Sequence, residues 1–356
     1  MENIDFACLK KAYEGKRVLV TGHTGFKGSW LCRILELFGA ELTGYALKPP
    51  TSPSLFYAAG IEEMMHSVEG DIRSLEDLKT VFAREKPEIV FHLAAQPIVR
   101  ESYKNPVYTY ETNVMGTVHM LECIRQTPSV KSFVNVTTDK VYENREWEYG
   151  YRECDPLDGY DPYSNSKSCS ELVTHSYKKS FFADGHVRIS TARAGNVIGG
   201  GDFAADRIIP DCIRAASAGK KIPVRNPHST RPYQHVLEPL GAYLMIAAKQ
   251  LEDERFCGYY NVGPEDSDCV TTGELTDLFC SAWGGGCSWE NQDAGGPHEA
   301  NFLKLDCSKL KSVFGWKPRY HVQEAVEKTV EWAKSYLAGE DVREVMDQQI
   351  MEFFSR

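Results

Sequence analysis

Two clusters of side chains in this sequence have the residue types and the spacing needed for acid/base chemistry. Tyr163 and Lys167 lie four residues apart in the run Tyr163-Ser164-Asn165-Ser166-Lys167, and residues i and i+4 share one face of a helix. A lysine ammonium in that position is expected to lower the pKa of the tyrosine phenol from about 10. A tyrosine tuned in this way can remove a proton from a hydroxyl group.

The second cluster is Thr138-Asp139-Lys140, which ends an apolar stretch about twenty residues before Tyr163. If that stretch is a parallel strand, the cluster lies at its carboxyl end, where ligands bind in open α/β sheets. A carboxylate and an amine at such a place are candidates for a general acid and a general base. The alternative is an exposed ion pair between Asp139 and Lys140 beyond the strand end.

The elements that must position these clusters alternate between strand and helix along the first half of the chain. After a polar leader, apolar runs predict strands at 17–21, 41–46, 65–69, 88–94, 131–137 and 187–193, with helices at 29–38, 75–84, 105–126 and 163–182 between them. Such alternation predicts a Rossmann-type, doubly wound parallel sheet.

The second half of the chain is more irregular, and several prolines and glycine clusters interrupt it. We expect residues 1–198 to form mainly a dinucleotide-binding domain, and 199–356 mainly a smaller mixed α/β substrate-binding region. Residues 235–262 are expected to return to the first domain, and 322–337 to form an amphipathic helix.

A glycine-rich turn follows the first predicted strand. Its residues Gly22, His23, Thr24, Gly25, Phe26, Lys27 and Gly28 have the spacing GxxGxxG and lead directly into a helix. Glycines allow the backbone to approach a pyrophosphate, and the helix N-terminus offers unpaired N–H groups. The turn therefore predicts a bound dinucleotide, and the alternative is a glycine turn without a ligand.

Further cofactor contacts are expected at the ends of the third and fourth strands. Asp71, next to Ile72, could reach an adenine amino group or could serve only in a turn, and Leu93-Ala94-Ala95 would let the cofactor cross the sheet edge. No acidic residue follows the second strand to bind a ribose hydroxyl, and Lys48 could meet a 2′-phosphate. NAD is preferred, and NADP is not excluded.

The order and spacing of the glycine turn, the Thr138 strand end, Asn113 and the Tyr-Lys pair resemble the extended short-chain dehydrogenase/reductase family. Within it the chain resembles the nucleotide-sugar 4,6-dehydratases, which carry Thr-Asp-Glu where this chain has Thr138-Asp139-Lys140. The likeness extends through Ala94-Ala95-Gln96-Pro97 and the run from Arg193 to Asp202.

The resemblance implies CDP-glucose as substrate and NAD as cofactor, with Asn113, Tyr163 and Lys167 at the cofactor. Tyr163 would take the O4 proton while Thr138 binds the sugar, and Asp139 would protonate the departing C6 hydroxyl. Lys140 would be the base at C5 or, if it remains charged, would stabilise the enolate.

Residues of the second half supply most of the expected substrate contacts, because arginine binds phosphate oxygens with a planar fork. Asn196 and Arg231 are expected at the diphosphate. The other candidates are Gln96, Arg100, Arg207, Arg225, Tyr233 and His298. The alternatives are solvated arginines, a packing tyrosine and a loop histidine, and no metal is expected.

The composition excludes some other classes of protein. The 356 residues carry a net charge of -10, which disfavours nucleic-acid binding, and the 11 cysteines form no CxxC pair, so they are expected to be reduced thiols. No apolar run approaches the roughly 20 residues that span a bilayer, and a cytoplasmic protein is expected.

The resemblance implies a homodimer or a dimer of dimers. The rival functions are a nucleotide-sugar 4-epimerase and a dinucleotide-sensing protein without turnover.

Overall fold

The structure, a computed structural model, describes residues 5–292 and 302–356. Its strands are β1 (Arg17–Thr21), β2 (Glu41–Ala46), β3 (His66–Glu69), β4 (Ile89–His92), β5 (Ser132–Val136), β6 (Arg188–Ala194), β7 (Val197–Ile198), β8 (Ile222–Val224), β9 (Thr230–Pro232), β10 (Gln234–His235), β11 (Tyr259–Val262), β12 (Cys269–Thr271) and β13 (Trp289–Asn291).

The helices complete the alternation with the strands. They are α1 (Phe6–Tyr13), α2 (Phe26–Leu37), α3 (Leu55–Ala58), α4 (Leu75–Glu85), α5 (Val99–Lys104), α6 (Pro106–Tyr110), α7 (Gly116–Arg125), α8 (Pro162–Phe181), α9 (Ile208–Ser217), α10 (Leu237–Glu252), α11 (Thr272–Trp283), α12 (Ser308–Phe314), α13 (Val322–Ala338) and α14 (Val342–Ser355).

Seven strands form one sheet in the order β11-β6-β5-β4-β1-β2-β3, and every neighbouring pair is parallel. Helices α4, α7 and α8 cover one face, whereas α1, α2, α10 and α14 pack on the other. The chain reverses its direction along the sheet between β1 and β4, which is the switch point where such sheets bind ligands. The predicted Rossmann-type, doubly wound parallel sheet is confirmed.

The polar leader that precedes β1 contains the helix α1. Asp5 caps α1, since its side chain accepts a hydrogen bond from Cys8 N at 2.8 Å. Leu9 and Tyr13 are buried, and the Tyr13 hydroxyl donates to the Leu244 carbonyl at 2.7 Å. The leader therefore packs against α10 through its apolar face.

The prediction of a single helix at 105–126 is wrong in one respect. It is broken into α6 and α7 by a turn of π-helix at Glu111–Met115. Asn113 lies in this turn with a buried side chain, and π turns interrupt helices frequently at functional sites. Apolar periodicity does not reveal such a turn, because the pattern is read with a constant period of 3.6 residues per turn.

The second half contains three short ladders, in which β10 pairs with β7, β12 with β9 and β13 with β8. Around them a separate apolar core is formed by side chains of α9, α11 and α13. Within residues 235–262, α10 packs on β5 and β6, and β11 pairs with β6 at the edge of the large sheet. The division into two domains remains a prediction.

Two further findings concern the thiols and the helix lengths. All eleven cysteines are free, and the Sγ atoms of Cys280 and Cys287 lie 3.3 Å apart. Across residues 5–292 and 302–356, no helix has both the length and the apolar character that a bilayer crossing requires.

Candidate active site

A cavity of about 610 Å³ opens between the carboxyl ends of β5 and β6 and the second half of the chain. Tyr163 enters it from the first turn of α8, which Asp161 caps through Ser164 N at 3.0 Å. Of the residues predicted from the sequence, the cavity is lined by Phe26, Lys27, Arg100, Thr138, Asp139, Lys140, Tyr163, Asn196, Arg207, Arg225, Arg231 and Tyr233. The fold thus brings most of the expected catalytic and substrate residues to one place.

The glycine-rich turn has the close packing that a dinucleotide site requires. Gly22 has a φ of +75°, and a Cβ there would lie 2.8 Å from Ala94 N. A Cβ on Gly28 would lie 2.2 Å from the Gly22 carbonyl oxygen. Gly25 is the N-cap of α2 and offers no side-chain cap, so N–H groups of the first turn stay available for an anion. The turn fits a dinucleotide pyrophosphate.

Other residues of the turn have structural roles in the free protein. The Thr24 hydroxyl donates to the Leu47 carbonyl at 2.9 Å. His23 packs over Gly44 of β2, and its Nε2 lies 2.8 Å from the Ser67 hydroxyl. Burial lowers the pKa of His23 to about 4, so the ring is neutral. The expected cofactor contact of His23 therefore does not come from its ring in this structure.

Lys27 differs from the rest of the turn because it lines the catalytic cavity. Burial, with a smaller effect from the Arg207 guanidinium, lowers the pKa of Lys27 to about 8, and Asp139 acts in the opposite direction. A cation of the cofactor turn thus lies within electrostatic reach of the predicted catalytic carboxylate.

The adenine end of the predicted cofactor site is occupied by internal contacts. Arg73 donates to the Asp71 carboxylate from Nε at 3.0 Å and from Nη2 at 2.7 Å, and this bonding lowers the pKa of Asp71. Ile72 is buried, and a Cβ on Gly116 would lie 2.9 Å from it. Any adenine contact of Asp71 would share its carboxylate with Arg73.

The sheet register brings an acidic side chain to the end of β2, where the sequence shows none. Glu69, at the end of β3, is the register partner of Ala46, the last residue of β2. Its carboxylate lies 3.9 Å from Lys48 Nζ, and both side chains are exposed. Lys48, the candidate for a 2′-phosphate, therefore lies beside a carboxylate.

Asn113 and Gln96 are bound to each other and not to the cavity. The Gln96 N–H donates to Asn113 Oδ1 at 2.8 Å, and Asn113 Nδ2 donates to the Gln96 carbonyl at 3.1 Å and to Ser166 Oγ at 2.9 Å. Gln96 Nε2 donates to Thr109 Oγ1 at 2.9 Å. These bonds fix α8 against the end of β4. The contacts of Gln96 with the sugar and of Asn113 with the cofactor stay predictions.

The pKa shift expected for Tyr163 is wrong for the free protein. Burial raises the pKa of Tyr163 to about 12, against a smaller opposite effect of its hydrogen bond with Thr138. Burial, together with the charge of Lys27, lowers the pKa of Lys167 to about 7, and the Lys167 ammonium donates to the Val136 carbonyl at 3.2 Å. Without a ligand, burial therefore dominates the effect of the neighbouring lysine.

Thr138, Asp139 and Lys140 follow β5 in a tight 3-10 turn. The Thr138 hydroxyl donates to Asp139 Oδ1 at 2.9 Å, and Asn196 Nδ2 donates to Oδ2 at 3.3 Å. The Asp139 carboxylate is buried beside Gly195, where a Cβ would lie 1.9 Å from Oδ2. Only glycine at position 195 leaves room for Asp139, a requirement that the sequence alone did not reveal.

Lys140 is half-buried and reaches the cavity. Asp139 bonds to Thr138 and Asn196, and the described residues give no ion pair between Asp139 and Lys140. The alternative of an exposed ion pair is therefore wrong. Within the same parts of the chain, no group of side chains could hold a metal ion.

The arginines on the far side of the cavity are held by carboxylates. Arg207 Nη1 lies 2.9 Å from Asp202, and Arg225 contacts Asp206 at 2.7 Å and Asp211 at 3.1 Å. These partners orient cationic groups toward the cavity without removing them from it.

The remaining substrate candidates differ in burial and partners. Arg100 lies 3.9 Å from Asp206, whereas Arg231 is only 7% exposed and donates to the Thr230 carbonyl at 2.9 Å. The Tyr233 hydroxyl lies 3.1 Å from the Thr272 hydroxyl. His298 lies outside the described residues.

Sequence reasoning missed a buried network behind the cavity. Glu171 and Arg193 form an ion pair at 2.9 Å with both side chains fully buried. Glu171 stands four residues after Lys167, so the helix spacing could have indicated that both lie on one face. Its partner Arg193 comes from β6 and could be found only from the fold.

Comparison with known proteins identifies the family of this chain. A family model described as GDP-mannose 4,6 dehydratase matches residues 19–263. The CDP-glucose 4,6-dehydratase of Salmonella typhimurium is 48% identical over 352 residues, covering 97% of this chain and 98% of that protein.

Solved structures of related enzymes share the fold. An epimerase from Methanothermobacter thermautotrophicus has a TM-score of 0.80 at 22% identity, covering 95% of this chain and 97% of that chain. The dTDP-glucose 4,6-dehydratase of Bacillus anthracis, solved in complex with NAD, has a TM-score of 0.75 at 23% identity, covering 91% and 98%. With the family match over most of the chain, this protein belongs to the GDP-mannose 4,6-dehydratase family, within the extended short-chain dehydrogenases/reductases.

Proposed function

We propose that this chain is a CDP-D-glucose 4,6-dehydratase, which converts its substrate to CDP-4-dehydro-6-deoxy-D-glucose and water. The observation that carries the proposal is that Tyr163 and the whole Thr138-Asp139-Lys140 turn line one cavity, opposite a set of arginines suited to a diphosphate. Similarity at 48% identity to an enzyme of that name over nearly the full chain supports the choice of nucleotide.

NAD is the proposed cofactor, held by the glycine turn from Gly22 to Gly28. When bound there, it would accept the C4 hydride and return the same hydride to C6. Glu69 is the last residue of β3 and lies beside Ala46 at the end of β2. It supports NAD over NADP, because a carboxylate binds a ribose 2′-hydroxyl and repels a 2′-phosphate. Bound NAD would also add positive charge near Tyr163 and favour its phenolate.

The first half of the reaction is assigned to residues of α8 and the end of β5. Tyr163, as phenolate, takes the proton from O4 of the glucose, and Thr138 orients that hydroxyl by a hydrogen bond. Protonated Lys167 stabilises the phenolate from the same helix face. The product of this half is a 4-ketone, which makes the proton at C5 acidic.

The elimination is assigned to Asp139 and Lys140. Asp139 gives a proton to the departing C6 hydroxyl, which leaves as water, and Lys140 takes the proton from C5. A proton returns to C5 from Lys140 when C6 is reduced, which gives the 6-deoxy sugar. The other cavity carboxylates, Asp202, Asp206 and Asp211, are each paired with an arginine. These pairings leave the three aspartates less suited to accept a proton. Among the described residues Lys140 forms no ion pair with a carboxylate, which supports it as the base at C5.

We also propose a homodimer in which α8 and the segment from α6 to α7 meet their copies. This face carries exposed apolar side chains at Val107, Met115, Leu172 and Phe181. Sedimentation of a monomer at micromolar concentration would contradict this assembly.

The free thiols and the use of NAD and a nucleotide sugar agree with a place in the cytoplasm.

The decisive experiment incubates the purified protein with CDP-glucose and NAD and follows the mass and the alkaline absorbance of the product. The dehydratase predicts loss of one water with no net reduction of NAD. Unchanged mass with inversion at C4 would indicate the 4-epimerase, and NAD binding without turnover of CDP-, dTDP-, UDP- or GDP-hexoses would indicate the sensing protein. Turnover of another hexose nucleotide would correct the choice of base.

A further inference from the structure

The buried ion pair between Glu171 and Arg193 lies directly behind the catalytic cavity. Arg193 Nη2 is 2.9 Å from Glu171 Oε2, and neither side chain is exposed. Removing two charges from water is unfavourable, so such a pair persists only with good geometry and further hydrogen bonds. The network around it supplies them.

The Glu171 carboxylate joins three elements of the fold. The Thr137 hydroxyl at the end of β5 donates to Oε1 at 2.5 Å, and the Thr191 hydroxyl of β6 donates to Oε2 at 2.8 Å. Arg193 also donates to the Tyr142 hydroxyl at 2.7 Å, just after the turn that contains Asp139. One carboxylate therefore fixes α8 against both strand ends.

These three elements carry all the residues to which the reaction steps are assigned. Tyr163 and Lys167 lie on α8, the Thr138-Asp139-Lys140 turn follows Thr137 directly, and Asn196 follows β6. Glu171 itself does not line the cavity. Its influence on the chemistry can only pass through the residues that it holds.

Lys167 is surrounded by few charges that could keep it protonated. Lys27 of α2 opposes its charge, and β5 contributes only the Val136 carbonyl. His92 of β4 is neutral because burial lowers its pKa to about 3, and Tyr163 is a neutral phenol with its pKa raised to about 12. Glu171 remains as the nearby negative charge, and it raises the pKa of Lys167.

Glu171 keeps that charge because its own surroundings favour the carboxylate. The Arg193 guanidinium, with His175 Nε2 at 3.4 Å, lowers the pKa of Glu171 to about 2 against the effect of burial. Tyr142 and Tyr259 also face the carboxylate, and burial keeps both phenols neutral by raising their pKa values.

We propose that Glu171 is a positioning residue for the catalytic helix: it fixes the helix of Tyr163 and Lys167 against the end of β5 and supplies a negative charge that favours the protonated form of Lys167. The effect of Glu171 on the Lys167 charge does not depend on any substrate. The effect on turnover rests on the proposed dehydratase reaction.

The test compares Glu171→Gln with the double variant Glu171→Gln, Arg193→Gln. The single variant leaves the buried Arg193 guanidinium without its carboxylate. The double variant removes both charges, so the core can fold without an unpaired buried charge. The pKa of Lys167 is measured in the free protein by NMR of isotope-labelled lysine, with Lys167→Arg for assignment. We expect it to fall by about one unit or more in both variants.

The same variants are then assayed for turnover across pH. Because activity requires a charged Lys167, the alkaline limb of kcat/KM should move to lower pH by the shift measured for Lys167. Near neutral pH, kcat should fall about tenfold while KM changes little. Glu122→Gln is the matched control, since Glu122 is also a carboxylate that contacts α8, through the Tyr177 hydroxyl at 2.8 Å, but it is partly exposed.

An unchanged Lys167 pKa in the double variant would overturn the inference. So would a uniform loss of activity at every pH, which indicates disturbed packing alone. Failure of the proposed function is seen separately, because wild-type protein would then convert no CDP-glucose while its Lys167 titration could still be compared with that of the variants.

Discussion

The two sides of the catalytic cavity hold their charged groups in different ways. Behind the cavity, in the Rossmann half, Glu171 and Arg193 are fully buried and bonded to each other and to three hydroxyl groups. On the opposite side, Arg207 and Arg225 are 37% and 29% exposed and are paired with aspartates at the cavity edge.

This difference indicates which half is fixed before substrate arrives. Removing one partner of a buried ion pair costs about 3–5 kcal/mol, whereas an exposed pair contributes about 0–1 kcal/mol. The Rossmann half therefore holds the catalytic groups in one arrangement. Arg225 of the second half can exchange its partly exposed partners Asp206 and Asp211 for a diphosphate at small cost.

The largest expected effect comes from the fixed side. Tyr163→Phe should lower kcat roughly 10³-fold, because the hydroxyl that takes the O4 proton is lost. Binding of NAD, measured by calorimetry, should change little. Tyr149→Phe removes the hydroxyl of an exposed tyrosine and serves as control. Turnover of Tyr163→Phe within a factor of about two of wild type would exclude the assigned role.

Asp139→Asn should separate the two halves of the reaction. It keeps the hydrogen-bonding shape but cannot protonate the C6 hydroxyl, so product formation should fall about 10²-fold or more. Oxidation at C4 should continue, and reduced nicotinamide absorbance should accumulate when CDP-glucose is added. Product release at the wild-type rate would show that another group supplies the proton.

Lys140→Arg distinguishes the base from the electrostatic stabiliser. Arginine keeps the positive charge but stays protonated, so it cannot take the C5 proton. The variant should lose about 10²-fold in kcat and should no longer exchange the C5 proton with deuterated solvent. Activity close to wild type would instead assign Lys140 to stabilisation of the enolate, and Lys140→Met should then be the damaging variant.

The arginine side is tested by affinity. Arg231→Met should weaken binding of CDP about tenfold or more, because a nearly buried guanidinium is positioned for charge-assisted hydrogen bonds. Arg225→Met should cost less, since Arg225 is 29% exposed and water and salt screen its charge more strongly. Calorimetry with CDP checks the order, and a larger loss for Arg225→Met would reverse this account of the exchangeable side.

The sequence alone was sufficient to predict the parallel sheet, the helix that carries Tyr163 and Lys167, and the position of Thr138-Asp139-Lys140 at a strand end, because each depends on local spacing or on apolar runs. It could not reveal that Asn113 and Gln96 bind each other, since their contact depends on a π turn that periodicity does not show. Nor could it place Glu69 beside the end of β2, which depends on sheet register. The pKa of Tyr163 was misjudged because burial is a property of the folded chain.

The smallest expected effect concerns the joint between the two halves. Glu238 of α10 is buried, and Oε1 accepts hydrogen bonds from the backbone N–H groups of Arg319 and Tyr320, each at 2.7 Å. Burial raises the pKa of Glu238 from 4.5 to about 7.

The folded protein therefore binds more protons at this site than the unfolded chain between about pH 4.5 and 7. Its stabilising effect is present at low pH and is lost as pH rises through that window. In the wild type, titration of Glu238 should lower the free energy of unfolding by about 1–3 kcal/mol between pH 5 and pH 8. Glu238→Gln removes this titration, so its Tm should fall less over the same pH range. Parallel Tm curves for both proteins would show that Glu238 does not titrate there.

The central claim is that groups fixed by the Rossmann half oxidise C4 and then eliminate water between C5 and C6 without releasing the intermediate. CDP-glucose carrying deuterium at C4 tests it most directly. The account predicts a 4-keto product with the deuterium at C6, formed with no net reduced nicotinamide. Deuterium recovered at C4 of an inverted sugar, or lost from the product, would contradict it.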